Sequence, residues 1–290
     1  MNFILKSSKM QIIVSNCGAE IKSVKDNAGH EYMWQGDERF WSDTAPVLFP
    51  ICGRLLDSKY TYCENEYKMK GHGFACSSEF DVVEVSDTSI TLSLFSTDET
   101  KCSYPFDFEL YAKYRLEEDT LYASFTVKNT SSVTMPYMFG WHPGFNLENS
   151  KGSSIPDFIL DYGKVTEVTW YPIISGWVRA IPEAYRFESP KVPLNEDLIY
   201  KYDTLIYEGT DNRVRLYSDK EKHSVDMSWS ANLPFLCIWK EPTPDARFIC
   251  LEPWSAIPSD GSKPECFDDR KMNRLDKGGS ETFSYTVSFK

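Results

Sequence analysis

The chain contains 290 residues, of which 41% are hydrophobic and 15% aromatic, so it can bury a large core and lacks the composition of a disordered chain. Its 43 acidic and 31 basic side chains give a formal net charge of −12. This charge argues against nucleic acids and anionic membranes as partners, although a local basic spot could still bind an anionic ligand. The length suits one large β-sandwich, so we expect a single domain over residues 1–290.

The N-terminal residues 1–6 lack the long apolar core of a signal peptide, and no apolar run approaches the roughly 18 residues of a membrane span. Eight cysteines are scattered along the chain without a CxxC pair or a zinc-binding spacing. An even number of cysteines would also suit the disulfides of a secreted protein. Without an export signal, we expect a cytoplasmic protein with reduced thiols, several of them buried.

Short segments with alternating or β-branched and aromatic residues recur along the whole chain, bounded by clusters of Asn, Asp, Gly, Ser and Pro. The clearest examples are residues 11–14, 89–95, 120–127, 214–217 and 282–287. This pattern predicts antiparallel strands. The best helix candidates are short and lie near residues 34–40 and 195–200. We therefore predict an all-β fold, a large antiparallel β-sandwich.

The first stretch with a chemically capable side chain is residues 45–55, an apolar run that reaches Gly53-Arg54 near its end. The guanidinium of Arg54 is expected to project from the end of a buried segment. Arginine can donate a rigid fork of hydrogen bonds to hydroxyl or carboxylate groups, so Arg54 is a candidate ligand-binding residue. An ordinary surface arginine at a strand end would have the same sequence context.

The second stretch is Gly71-His72-Gly73-Phe74-Ala75. The flanking glycines let the backbone turn sharply or approach a ligand closely, and they leave the imidazole uncrowded. His72 is therefore a candidate binding residue. A histidine in a turn without any function would fit the same pattern.

The third stretch, Gly140-Trp141-His142-Pro143-Gly144-Phe145, follows a strand-like segment at residues 137–139. A residue before proline is restricted to extended geometry, so His142 is held on an extended backbone beside a tryptophan. An imidazole next to an aromatic surface suits acid–base work on a ring-shaped, partly apolar substrate. The alternative is a packed histidine that bonds to a backbone carbonyl.

Two carboxylates lie at the ends of predicted strands. Asp203 precedes an apolar segment, where an aspartate is also common as a cap or turn residue. Glu252 ends the apolar run 248–251 and is followed by Pro253 and Trp254. Partial desolvation there would raise the pKa of the Glu252 carboxyl toward the range of a general base near neutrality, although an ordinary strand-end glutamate remains the alternative. Glu252 shares its construction with His142, namely a strand, an ionisable residue and then proline.

Other chemistries find no support in the sequence. It contains no GxSxG, GxGxxG, GxxxxGK[ST] or HExxH motif. His72, His142 and a carboxylate could in principle form a metal triad, but their spacing gives no support for one. His30 and His223 lie in polar, turn-like stretches, and we expect both on the surface.

Taken together and in order, these stretches resemble the aldose 1-epimerase (galactose mutarotase) superfamily, specifically its LacX-like branch. The resemblance covers most of the chain through short segments, namely residues 16–21, 45–55, 71–75, 104–108, 140–145, 203–207, 238–242 and 251–254. It implies a large antiparallel sandwich, often called a supersandwich, with the sugar in an open cleft on one sheet. It also implies interconversion of the α and β anomers of an aldose without a cofactor.

By motif, the resemblance implies that His142 is the general acid and Glu252 the general base, while Arg54, His72 and Asp203 hold the sugar. One base and one acid on opposite sides of the ring would suffice to open and close it. Aromatic surface for the C–H faces of the sugar could come from three residues that could equally belong to the core. These residues are Phe74, Trp141 and Trp254.

Two departures bear on the substrate. The better-studied galactose mutarotases carry an asparagine shortly after the Gly-Arg element, where this chain reads Leu55-Leu56-Asp57-Ser58. Relatives that resemble hexose-6-phosphate mutarotases read His-Gly-Phe-Ala-Arg, and here Cys76 replaces the arginine, which weakens but does not exclude a phosphorylated substrate. The rival reading is a sugar-binding or sensing protein without turnover. The expected partner is a small aldose, bound by a monomer or homodimer.

Overall fold

The computed structural model describes residues 1–179, 181–194, 201–202 and 204–290. Almost all of its regular structure is antiparallel β-sheet, which confirms the all-β prediction. Within the described ranges, no helix is both long and apolar enough to cross a membrane. The eight cysteines are all free thiols, and three of them are buried, namely Cys52, Cys237 and Cys250.

The strands follow one another along the whole chain. In order they are β1 (Asn2–Lys6), β2 (Met10–Ser15), β3 (Ile21–Asp26), β4 (Val47–Leu48), β5 (Lys59–Tyr62), β6 (Asn65–Lys68), β7 (Asp81–Val85), β8 (Ser89–Phe95), β9 (Phe108–Glu117), β10 (Thr120–Asn129), β11 (Met135–Tyr137), β12 (Gly140–Trp141), β13 (Gly144–Asn146), β14 (Phe158–Asp161), β15 (Glu167–Ile174), β16 (Trp177–Val178), β17 (Glu183–Arg186), β18 (Lys191–Pro193), β19 (Leu205–Glu208), β20 (Arg213–Ser218), β21 (Val225–Trp229), β22 (Phe235–Trp239), β23 (Phe248–Trp254), β24 (Glu265–Cys266), β25 (Asn273–Leu275) and β26 (Ser280–Phe289).

Helices are few in the described part of the chain. The α-helix α1 (Asp98–Ser103) begins with a capping box, in which the Thr97 hydroxyl accepts a hydrogen bond from the Thr100 N–H at 3.2 Å. Short 3₁₀ turns lie at Leu56–Ser58, Ala75–Ser77 and Ile155–Asp157. The prediction of a short helix near residues 34–40 is wrong, because that segment is irregular and ends in a turn at residues 38–40. The other helix candidate, residues 195–200, lies outside the described residues.

Two nine-stranded sheets dominate the part of the fold that the structure describes. The first runs β18-β14-β20-β21-β26-β10-β9-β8-β7, and the second runs β16-β15-β19-β22-β23-β12-β4, with β13 on β23 and β17 on β15. Along β10 every second residue is buried, as its period-two sequence predicts. Phe125 of β10 packs against Phe139 and Trp141 of the second sheet's β12 region at 5.1 and 6.3 Å between ring centroids. The core therefore lies between these two sheets.

Strand β23 is the element that organises the second sheet. All seven of its residues are buried, and it pairs with β22 on one side and with β12 and β13 on the other. The chain segment around His142 connects β12 to β13, so it is fixed against β23 on both sides. This pairing brings His142 next to Glu252 although they are far apart in the sequence.

Candidate functional site

Four of the five polar residues singled out by the sequence converge on one cleft with a volume of about 390 Å³. Arg54, His72, His142 and Glu252 line it, together with aromatic and small residues. The fifth predicted residue, Asp203, lies outside the described residues. Segments distant in sequence thus form one site through the pairing of the second sheet.

His142 is fixed on the floor of this cleft by its backbone and by its neighbours. Its N–H donates to the carbonyl of Pro46 at 3.0 Å, and its side chain is only 10% exposed. The imidazole contacts the indoles of both Trp41 and Trp239, at 4.9 and 5.8 Å between ring centroids, and the two indoles also contact each other at 5.6 Å. The glycine that begins the motif is also required, because a Cβ on Gly140 would lie 2.6 Å from the Trp254 ring.

Glu252 is almost completely buried at 1% exposure. In the register of β22 and β23 it lies opposite Cys237, so a thiol rather than a cation is its cross-strand neighbour. Burial raises the pKa of the Glu252 carboxyl well above its ordinary value, and the indole N–H of Trp254 counteracts only part of this effect. The environment therefore favours the neutral form of this side chain.

The two ionisable groups are direct neighbours. Nε2 of His142 lies 3.1 Å from Oε2 of Glu252. Burial, with a smaller contribution from the nearby His72, lowers the pKa of His142 well below its ordinary value. A neutral imidazole beside a protonated carboxyl contains the same number of protons as an imidazolium beside a carboxylate. The pair therefore holds one transferable proton in either distribution. The two side chains are adjacent to each other and do not face each other across the cleft.

His72 has its own fixed orientation. Its backbone adopts φ = +62°, a left-handed conformation in which histidine is enriched among non-glycine residues. The N–H of Gly53 donates to Nδ1 of His72 at 3.2 Å. Burial lowers the pKa of His72 to about 4, so the ring is neutral at pH 7. Because Nδ1 accepts a hydrogen bond, the ring proton resides on Nε2, which can donate to a ligand.

Arg54 is positioned by a loop of the second sheet. Its Nε donates to the carbonyl of Gly176 at 3.0 Å and its Nη2 to that of Ser175 at 2.7 Å. Its guanidinium also lies over the Trp177 ring, 4.5 Å from the centroid. Gly176 has φ = +75°, and a Cβ there would lie 1.6 Å from Nη2 of Arg54. Only glycine at position 176 allows this close approach.

Two of the three aromatic residues considered as sugar contacts do not line the cleft. Trp141 is a core residue, since its indole donates to the Ala45 carbonyl at 3.1 Å and packs against Tyr285. Phe74 packs against Phe49 of the core at 6.1 Å. The third residue, Trp254, does line the cleft. Side chains alternate across a strand, so Trp141, which directly precedes His142, points to the opposite face. Trp254 is two residues from Glu252 and therefore shares its face.

The sequence reasoning missed two aromatic residues of the cleft, Trp41 and Trp239. Trp239 could have been found from the period of β22, because Cys237 and Trp239 share a face and both line the cleft. Trp41 lies in an irregular segment after the wrongly considered helix, and no local pattern signals its position.

Two groups in the described part of the chain bring three potential metal ligands within 4.8 Å of one another. The first consists of His142 and Glu252 of the cleft and the fully buried Cys250. Metals bind cysteine as the thiolate, but burial and the nearby Glu252 raise the pKa of the Cys250 thiol well above its usual value. This group is therefore a poor metal site.

The second group, His30, Glu148 and His223, lies outside the cleft. The prediction that both histidines lie on the surface is wrong. Neither histidine is a free surface residue, since their side chains are only 18% and 14% exposed. Their rings stack at 3.6 Å with an angle of 9° between planes, and His223 Nδ1 lies 2.8 Å from Glu148. Lone pairs of parallel stacked rings cannot converge on one ion, so this arrangement is a packed histidine pair rather than a metal centre.

Comparison with known proteins gives one consistent family. Residues 2–261 match the family model described as Aldose 1-epimerase. The chain is 29% identical to the plasmid-encoded protein LacX of Lactococcus lactis subsp. lactis over 286 residues, or 93% of each chain.

Solved structures with the same fold cover the whole chain. A galactose mutarotase related enzyme from Lactobacillus acidophilus superimposes with a TM-score of 0.93 and 34% identity, covering 100% of this chain and 97% of that one. A galactose mutarotase-like protein from Lactobacillus casei superimposes with a TM-score of 0.93 and 27% identity, with 100% of both chains covered.

Proposed function

Since the chain belongs to the aldose 1-epimerase family, we propose that it is an isomerase that interconverts the α and β anomers of an aldose in this cleft. The observation that carries the proposal is the distance of 3.1 Å between His142 Nε2 and Glu252 Oε2 on the cleft floor. Anomer exchange needs one proton taken from the C1 hydroxyl and one given to the ring oxygen. Both oxygens are bonded to C1, so an acceptor and a donor held 3.1 Å apart could serve both of them within one bound ring.

In the proposed mechanism, the Glu252 carboxylate takes the proton of the C1 hydroxyl while the His142 imidazolium protonates the ring oxygen. The C1–O5 bond breaks and an open-chain aldehyde forms. After rotation about the C1–C2 bond, the imidazole takes back the proton of the C5 hydroxyl. Glu252 returns its proton to the carbonyl oxygen as the ring closes on the other face. The proton count of the pair is restored, and the proton transfers require no cofactor.

The burial of the pair supports this cycle energetically. Desolvation favours a neutral carboxyl and a neutral imidazole, as the directions of the two pKa shifts indicate. That neutral pair is the state that the proton transfers of ring opening produce. The site would therefore stabilise the open-chain intermediate relative to the bound ring. Hydrogen bonds from the sugar to the carboxylate would offset the cost of forming the ion pair before opening.

The remaining cleft residues would hold the sugar. His72 is a neutral donor through Nε2, and Arg54 would offer the guanidinium hydrogens that Ser175 and Gly176 do not use. The indoles of Trp41 and Trp239 would contact the apolar C–H faces of the ring. Asp203 remains a proposed sugar contact by motif alone.

The experiment is a measurement of anomer exchange by NMR with D-glucose and D-galactose. The proposal requires an exchange rate that increases with protein concentration above the spontaneous rate. Spontaneous rates with both sugars and with their 6-phosphates, combined with measurable sugar binding, would instead identify a sugar-binding protein without turnover.

A further inference from the structure

A second pocket, with a volume of about 570 Å³, lies beside the cleft; we call it the accessory pocket. Phe235 of β22 lines the accessory pocket, whereas Cys237 and Trp239 of the same strand line the cleft. Residues two apart on a strand share one face, so the two spaces follow each other along the same side of the sheet.

The neighbouring elements agree with this arrangement. On β15, Tyr171 lines the accessory pocket and Ile173 lines the cleft, and Pro258 lines both. Two residues of a strand advance by about 7 Å, which is of the order of one sugar ring. The cleft and the accessory pocket are therefore adjacent compartments on one face of the sheet, with Pro258 as a shared wall.

The accessory pocket has an unusual charge for this protein. Four cationic side chains, Arg179, Lys263, Arg270 and Lys271, line it against two acidic ones, Asp260 and Glu265. The chain as a whole carries a net charge of −12. A local positive excess in an acidic protein indicates a site for an anion.

Among the described residues, three of these four cations lack a close ionic partner, although Lys263 is near enough to Asp260 to add to the hydrogen bonds from Ser262 that lower the pKa of that carboxyl. In the part of the chain that the structure describes, no carboxylate lies within 4 Å of the charged groups of Arg179, Lys263 or Lys271. Arg270 is different, since its Nη1 lies 2.5 Å from Glu265 and its side chain is only 8% exposed. Its buried Nε has no hydrogen-bond partner among the described residues. The three exposed cations at the rim are thus available to a ligand, whereas the side chain of Arg270 is a largely buried part of the wall.

The floor of the accessory pocket suits a sugar ring. The rings of Tyr171 and Phe235 lie at 5.6 Å and perpendicular to each other. The Tyr171 hydroxyl is engaged with Glu208 at 2.7 Å, which holds the ring in place. Aromatic faces contact the C–H faces of sugars, so this compartment combines an apolar platform with a cationic rim.

We propose that the preferred substrate is a reducing sugar longer than one ring that carries an oxyanion, a phosphate or a carboxylate, on its extension. The reducing ring occupies the cleft beside His142 and Glu252. The extension lies over Tyr171 and Phe235, with its oxyanion at Lys263 and Lys271. This inference rests on the proposed anomer exchange, because the same cleft receives the reducing end.

The test compares anomer exchange for maltose, maltose 6′-phosphate and a disaccharide of glucuronic acid linked to glucose. We expect kcat/KM to be about tenfold or more higher for at least one anionic disaccharide than for maltose, the range for hydrogen bonds to a charged group. Whichever of the two is preferred identifies phosphate or carboxylate as the oxyanion. Glucose 6-phosphate, which is one ring long, should show no such preference over glucose.

The double substitution Lys263→Gln and Lys271→Gln should reduce the preference for the anionic disaccharide to near one. Lys113→Gln, an exposed lysine on β9 of the other sheet, is the matched control and should retain it. Equal kcat/KM for maltose and both anionic disaccharides, or a preference that survives the double substitution, would overturn the inference. So would an equally strong preference for glucose 6-phosphate over glucose.

Calorimetric binding separates this inference from the proposed function. If no sugar is turned over but the anionic disaccharide binds the wild-type protein at least tenfold more tightly than the double variant, the accessory pocket stands and the isomerase proposal fails. If neutral sugars exchange rapidly and the anionic extension adds neither rate nor affinity, the isomerase proposal stands and the accessory pocket fails.

Discussion

Cys237 lies directly opposite Glu252 in the register of strands β22 and β23. The cross-strand neighbour of the buried carboxyl is therefore a neutral thiol, and the thiols of Cys52 and Cys250 are close enough for Glu252 to raise their pKa values. Such surroundings give a carboxylate little stabilisation. Glu252 is thus held in an environment that destabilises its charged form, and this cost lowers the free energy of unfolding of the protein.

This cost predicts a pH-dependent gain in stability for Glu252→Gln. The pKa of Glu252 is raised in the folded state, so below the ordinary carboxyl pKa both states are protonated and no cost arises. As the pH rises toward the folded-state pKa, the unfolded chain ionises first and wild-type stability falls. Glutamine does not ionise. We expect the variant to exceed the wild type by more than about 1 kcal/mol in free energy of unfolding at pH 8, and by less at pH 5.

Thermal and urea unfolding of both proteins at the two pH values measures this difference. Glu84→Gln, which removes an exposed glutamate on β7, is the control and should show the same small difference at both pH values. A Glu252→Gln variant less stable than the wild type at pH 8 would show that the carboxylate is stabilised in the native site.

The same substitution should abolish most of the catalytic activity. Loss of a general base typically costs about a hundredfold or more in rate. Sugar affinity should change by less than about threefold, because His72, Arg54 and the indoles remain. NMR anomer exchange at saturating sugar gives kcat, and calorimetry gives the dissociation constant. Turnover equal to that of the wild type would remove Glu252 from its proposed role, and Glu84→Gln should retain full activity.

Much of the fold and the centre of the site could be predicted from local patterns. The period of two over residues 120–127 predicted a strand that the structure extends to Thr120–Asn129. The shared construction of His142 and Glu252, an ionisable residue between a strand and proline, singled out two residues that the structure brings to 3.1 Å in one cleft. Both signals are local, because they depend on alternation and on the conformational restriction that proline imposes.

What the sequence did not reveal depends on pairing between distant segments. The position of Trp41 over His142 follows from an irregular segment whose course is fixed only by tertiary contacts. The stacked pair of His30 and His223 joins two turns far apart in the chain, and each turn has the polar sequence typical of a surface segment. Which face of β12 points to the cleft also required the register, and for that reason the sequence left Trp141 open between the cleft and the core; the structure places it in the core.

His72 provides a prediction about binding rather than chemistry. Its Nε2–H is a neutral donor fixed by the Gly53 N–H at Nδ1, so its loss should cost about 0.5–1.5 kcal/mol, or about a two- to tenfold weaker sugar affinity. His72→Asn is the suitable variant, because asparagine also tolerates the left-handed backbone at φ = +62°. We expect KM to rise while kcat falls by less than tenfold.

Because His72 is neutral above its pKa of about 4, the KM of the wild type should not change between pH 6 and 8 through this residue. Steady-state kinetics over this range, for the wild type and His72→Asn, measures both effects. A KM of the variant equal to that of the wild type would show that Nε2 of His72 does not contact the sugar.

Gly176 allows a test of Arg54 without changing the arginine itself. In Gly176→Ala the new Cβ would occupy a position 1.6 Å from Nη2 of Arg54, so the guanidinium must leave its place over Trp177. The substitution also places alanine at φ = +75°, which costs about 1–2 kcal/mol of stability.

Gly278→Ala is the matched control, because it has φ = +73° and no atom within 4 Å of its Cβ position. Both variants should lose similar stability, but only Gly176→Ala should raise KM, by about tenfold if Arg54 donates to the sugar as a charged group. Unfolding and NMR exchange on the two variants together separate backbone strain from the loss of the arginine contact, and an equal KM in both would show that Arg54 does not bind the substrate.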